Sequence, residues 1–153
     1  MNPRYLETKF HIPSWRTAGV SRPRLVKHLL SGLEQNHKLA LICAPAGYGK
    51  TTLVTDWLNA VHAHTHFTWL SLEENDNDPV RFLGYTITAF QRVQPELGQS
   101  ALSLLSMPTP PPLTHILDEL LNDLAYYGEK IILVLDDYHS IHHSQIHEAL
   151  EYF

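Results

Sequence analysis

Cysteine is almost missing from this chain: Cys43 is the only one among 153 residues. An intrachain disulfide is therefore excluded, and the usage fits a reducing compartment. Cys43 ends an apolar run, where it reads as a buried, inert thiol rather than a nucleophile. No apolar stretch approaches the roughly 20 residues that span a bilayer. Met1 to Phe10, with Arg4, Glu7 and Lys9, lack the apolar centre of a signal peptide, so the expected location is the cytoplasm and no membrane contact is expected. Clustered positive charge is absent as well. With 11 Lys and Arg against 16 Asp and Glu, a net charge of -5, the chain has no surface for direct nucleic-acid contact, because affinity for phosphate backbones is mainly electrostatic. Internal repeats are lacking, and low complexity is confined to the short cluster Pro108, Pro110, Pro111 and Pro112.

What is present is enough for one folded domain with a core, since 44% of the residues are hydrophobic. Residues 1–20 show no sustained periodicity and read as an irregular lead-in lying over the surface. Residues 21–153 alternate between helical and strand patterns. Leu25, Val26, Leu29, Leu30 and Leu33 mark a helix, with Ser21 as its cap and Pro23 in its first turn. Leu39 to Cys43 has the continuous apolarity of a strand buried on both faces. Leu53, Val54, Trp57, Leu58 and Val61 define the next helix, and Phe67 to Leu72 a second strand. The acidic run Glu73 to Asp78 reads as a solvated loop in which Asp78 caps a helix begun by Pro79, with Val80, Leu83, Ile87 and Phe90 on its core face. After the proline cluster, Thr114 is the expected cap of a helix bearing Ile116, Leu117, Leu120, Leu121 and Leu124 and ended by Gly128. Ile131 to Leu135 is another apolar strand, and Ser144 to Phe153 a last helix.

Between the strand pattern at 39–43 and the helix that follows lies Ala44-Pro45-Ala46-Gly47-Tyr48-Gly49-Lys50-Thr51-Thr52. Against the phosphate-loop pattern G-x-x-x-x-G-K-[ST] only the first glycine departs, replaced by Ala44. Backbone N–H groups from Ala46, Gly47, Tyr48 and Gly49 through Thr52 can converge on phosphate oxygens at a helix N-terminus. Lys50 is suited to the β- and γ-phosphates and Thr51 to Mg²⁺. Downstream, an apolar strand running into Asp136-Asp137 has the form of a Walker B element. In a parallel sheet the carboxyl ends of the strands share one edge, so Asp136 is the second candidate Mg²⁺ ligand and Asp137 the candidate for orienting or deprotonating an attacking water.

Leu41 to Leu53, Trp69 to Leu72, Asn75 to Pro79 with Arg81-Phe82, and Leu133 to His139 together resemble the nucleotide-binding domain of MalT-type, LuxR-family large ATP-binding transcriptional regulators, in its N-terminal part. These are STAND-class signalling ATPases. The resemblance implies an α/β P-loop NTPase three-layer sandwich with a mostly parallel sheet, ATP and Mg²⁺ as cofactors, and ATP or ADP as ligands. It also implies self-association through this domain in a full-length protein. Val20, Arg22 and Leu25 match a family element that contacts the nucleotide base, which makes Arg22 a candidate base-side contact. The family's following sensor strand, winged-helix segment, inducer-binding repeats and DNA-binding helix-turn-helix are not in these 153 residues. The expectation is thus an incomplete domain, 21–153, that binds ATP as a switch module and hydrolyses it slowly at most. The alternatives are a P-loop kinase or other NTPase enzyme, and a truncated remnant that binds no nucleotide. The eleven histidines, including His62, His64 and His66 and the set His139, His143 and His147, read as solvated rather than as a metal site. Trp57 and Trp69 read as core.

Overall fold

The computed structural model describes residues 5–14, 20–61 and 65–153. The chain divides into two compact units, one made of Met1–His11 with His64–Phe153, the other of Ile12–Ala63. The observed class is mixed α/β with a small parallel sheet.

In the larger unit, β1 (Thr65–Ser71) pairs in parallel with β2 (Lys130–Asp136), in a register running from Thr65 opposite Lys130 to Ser71 opposite Asp136. The Leu72 N–H adds one more bond, to the Asp136 carbonyl at 3.0 Å. Both strands lie within a residue or two of the predicted segments, because β-branched and large apolar residues favour this half-buried pleated setting. Helix α3 (Pro79–Gln91) follows β1. Its start is the predicted one: Pro79 takes the first position and the Arg81 N–H donates to Asp78 Oδ1 at 2.7 Å. Leu83, Ile87 and Phe90 are buried as expected, whereas Val80 is exposed. Phe82 and Tyr85 use the opposite flank, so α3 serves two apolar clusters.

Helix α4 (Gln99–Leu105) was not legible in the sequence; it buries only Ala101 and Leu105, too few positions to establish a period. Helix α5 (Leu113–Tyr127) starts one residue before Thr114, with Pro112 at the cap position and no side-chain capping bond. It ends as predicted at Gly128, whose φ of 74° is the left-handed geometry glycine tolerates at no steric cost. Helix α6 (Ser144–Tyr152) matches the last predicted helix. Glu7–Phe10 forms a 3-10 turn with Lys9 and Phe10 buried, so this part of the lead-in is ordered core rather than an irregular cover.

The smaller unit contains α1 (Pro23–Glu34) and α2 (Lys50–Ala60), which pack together. Ser21 does not cap α1; Arg22 holds the cap position without a side-chain bond. Residues 39–43 do not form the predicted buried strand. Their backbone is irregular, Leu39 is 83% and Leu41 78% exposed, and Cys43 is exposed rather than buried. An apolar run becomes a strand only when a neighbour accepts and donates its ladder bonds, and the only sheet among the described residues is the β1–β2 pair. Trp57 and Trp69 are both buried, as expected of core residues. No helix among the described residues is long and apolar enough to cross a membrane.

Candidate functional site

The loop 44–52 is built from two glycines and a helix start. Gly47 and Gly49 have φ of 80° and 77°, which side-chain-bearing residues rarely adopt. These two reversals turn the chain sharply into α2. The first bond of that helix is from Leu53 N–H to the Gly49 carbonyl at 2.9 Å, so the N–H groups of Lys50, Thr51 and Thr52 precede the helical ladder and carry the positive end of its dipole. Thr55 Oγ1 donates to the Thr51 and Thr52 carbonyls at 3.1 and 3.0 Å and steadies this first turn.

Lys50 Nζ reaches back over the loop and donates to the Ala44 carbonyl at 2.7 Å and the Pro45 carbonyl at 3.3 Å. Its ammonium is thereby fixed against the loop rather than extended into solvent. A Cβ on Gly47 would meet no atom within 4 Å, so the space beside it is open; one on Gly49 would lie 3.9 Å from Arg22 Nη2. Arg22, Lys50, Thr51 and the glycine turn thus belong to one unit, with Arg22 against the loop. Tyr48 is exposed. The donor set, two cations and a helix N-terminus with an open glycine face, suits a phosphate group in charge and space.

Asp136 and Asp137 belong to the larger unit. Asp136 ends β2, and its Oδ1 accepts the Asp137 N–H at 3.1 Å. Asp137 has a φ of 57° and is exposed; it starts the 3-10 turn Tyr138–Ser140. Two side chains that the sequence motifs contain without a role of their own, Tyr138 and Asn77, hold this turn. Tyr138 Oη is hydrogen-bonded to His147 Nδ1 on α6, and burial pushes the Tyr138 phenol above its ordinary value. Asn77 bonds the backbone of residues 140–143 at three points.

In the run Glu73 to Asp78, Glu73, Glu74, Asn75 and Asp78 are exposed as expected of a solvated loop, and Asp76 is the exception. Asp76 is 0% exposed. It binds Lys9 Nζ, takes Arg81 Nε at 3.0 Å and accepts the Glu73 N–H at 3.0 Å. The bond to Asp76 raises the Arg81 pKa above its ordinary value, and both cations lie 5.2 Å from the Tyr85 ring centroid. One signal was available: the density of Asx residues in a short strand-to-helix connection, where their side chains commonly bond backbone. Among the described residues no group of three or more His, Cys, Asp or Glu could hold a metal ion. His62 and His64 lie outside the described residues, His66 pairs with Glu129, and His143 Nδ1 accepts the Gln145 N–H at 3.3 Å.

This mixed α/β chain is related in sequence to bacterial transcriptional regulators. The chain is 40% identical over 134 residues, 88% of its length, to the HTH-type transcriptional regulator MalT of Cronobacter sakazakii. It is 32% identical over 149 residues, 97% of its length, to MalT of Vibrio cholerae, and 36% identical over 134 residues to MalT of Klebsiella pneumoniae. The chain is thus homologous to MalT-type regulators over most of its own length. It spans 14 to 16% of theirs. No family model matches it.

Proposed function

We propose that this chain binds ATP with Mg²⁺ and is the nucleotide switch module of a MalT/LuxR-type transcriptional regulator, acting in the cytoplasm. The observation that carries the reading is the tethering of Lys50 Nζ to the Ala44 and Pro45 carbonyls at the head of α2, beside two left-handed glycines. In this reading the N–H groups of 46–52 and the Lys50 ammonium hold the phosphates, and Arg22 lies on the base side. Thr51 and Asp136 are the Mg²⁺ ligands, and Asp137 orients water for slow hydrolysis. Bound Mg²⁺ would neutralise phosphate charge and fix the phosphate oxygens. The fuller fold proposed is the P-loop three-layer sandwich, and nucleotide state would bias self-association of the full-length regulator.

A second reading, a chain that has lost nucleotide binding, draws on one observation: the stretch that should brace the loop as a strand, 39–43, is exposed and irregular. Equilibrium binding of a fluorescent ATP analogue with Mg²⁺ separates the two. The switch reading predicts saturable binding that Lys50→Ala weakens by at least about tenfold, the usual weight of a charge-assisted hydrogen bond. Absent binding, or binding indifferent to Lys50→Ala, favours the second reading.

A further inference from the structure

The acidic pair sits at a backbone outlier, and the structure shows what braces it. Asp137 adopts φ 57°, a left-handed conformation uncommon outside glycine, although Asp and Asn tolerate it better than most residues. Its carbonyl accepts the Ser140 N–H at 2.9 Å, closing the turn that begins at Asp137. The far end of that turn is gripped by one side chain from a distant part of the sequence. Asn77 Nδ2 donates to the Ser140 carbonyl at 2.6 Å, and Asn77 Oδ1 accepts the N–H groups of His142 at 2.6 Å and His143 at 3.1 Å. A primary amide can donate to a carbonyl from its nitrogen and accept from two amides at its oxygen at once.

The grip is itself anchored. Asn77 follows Asp76 and is the C-terminal cap of the 3-10 turn Glu74–Asp76, where its N–H donates to the Glu74 carbonyl. Asp76, fully buried, ties that turn to Lys9 and Arg81. On the other side Asn77 is followed by Asp78, which caps α3. Asn77 therefore projects from a backbone held at both neighbours, and has little freedom to follow the 137–143 segment if that segment moves.

We infer that Asn77 is a positioning residue for the acidic pair: by bonding Ser140, His142 and His143 it holds Asp137 in its left-handed conformation and so sets where the carboxylates at the end of β2 stand. In calling those carboxylates functional the inference rests on the nucleotide reading above. The grip itself does not, and it can be measured without any ligand.

The test uses the whole chain, isotope-labelled, with three proteins: wild type, Asn77→Ala and Asn77→Asp. Aspartate keeps the acceptor for His142 and His143 and replaces the donor to Ser140 with a charged acceptor that repels that carbonyl. The primary readout is the set of Asp137 backbone carbon shifts, which distinguish left-handed from extended or right-handed backbone. The expected result is that Asn77→Ala loses the left-handed signature and Asn77→Asp, with its Ser140 contact turned repulsive, weakens it. ATP binding without Mg²⁺ stays at the wild-type level in all three, and the gain from added Mg²⁺ falls about tenfold in Asn77→Ala, as is usual when a group orienting a metal ligand is removed. If Asn77→Ala does not fold, Asp137 shifts in Asn77→Asp that move toward extended backbone support the inference, and shifts identical to wild type overturn it. A left-handed Asp137 in folded Asn77→Ala overturns it, whatever the change in melting temperature. Loss of the signature in Asn77→Ala, in a chain whose wild type shows no Mg²⁺ effect on ATP, supports the grip and removes the Mg²⁺ role of the acidic pair instead.

Discussion

Two residues show how differently a sequence exposes its chemistry. The Asp78 cap was legible because its partner, the Arg81 N–H, is three residues away and Pro79 marks the helix start. Asp76, two positions earlier, was not, because Lys9 is 67 residues distant. Lys50 falls in the first class and Asn77 in the second, so the loop was readable from local spacing while the brace behind the acidic pair was not. Asp76→Ala takes the buried carboxylate from Lys9 and leaves it only half-exposed Glu73, at 3.1 Å. Removing one partner of a buried pair typically costs about 3–5 kcal/mol, and urea unfolding followed by Trp69 fluorescence should show a loss of that size. Burial also raises the Tyr138 phenol above its ordinary value, and burial first, then the neighbouring Tyr85, raises Tyr5. A phenol that holds its proton more tightly when folded contributes stability that is fully present below its unfolded value, about pH 10, and is lost as pH rises through the folded one. Melting temperature should therefore fall above about pH 10, and less steeply in Tyr138→Phe.

Elements were legible where hydrophobic period and punctuation agreed. Helices α3, α5 and α6 and strands β1 and β2 each had both, whereas seven-residue α4 had neither. The failure at 39–43 is of another kind. Its composition is that of a doubly buried strand, but composition cannot supply the neighbour whose backbone completes the ladder. Since Leu39 and Leu41 face solvent, changing either to Lys should alter unfolding free energy by no more than about 0.5 kcal/mol, as for other surface sites. A loss of several kcal/mol would show that the segment is buried. Gly98 offers the opposite case: its φ is 67°, and an added Cβ would come within 2.7 Å of Ile87 Cγ2. Overpacking of this kind costs about 1–3 kcal/mol, so Gly98→Ala should lower the denaturation midpoint.

For the molecule as a whole, the division of the chain matters most. The larger unit is assembled from two separate stretches, Met1–His11 and His64–Phe153, and the smaller from the residues between. Burial is uneven: α3 has eight buried residues and α1 has none. Amide exchange should accordingly be slowest in α3 and much faster in α1, since protection follows buried contact. The candidate residues are shared out in the same way, Arg22 and 46–52 in the smaller unit, Asp136 and Asp137 in the larger. The central claim is that the loop 46–52 holds ATP, and a titration of the labelled chain with ATP, first without and then with Mg²⁺, tests it most directly. The account predicts that ATP alone shifts the amide signals of Gly47, Gly49, Lys50 and Thr51, and that adding Mg²⁺ also shifts Asp136 and Asp137. If ATP with Mg²⁺ leaves the loop amides where they were, the chain is not a nucleotide switch module and the account is wrong.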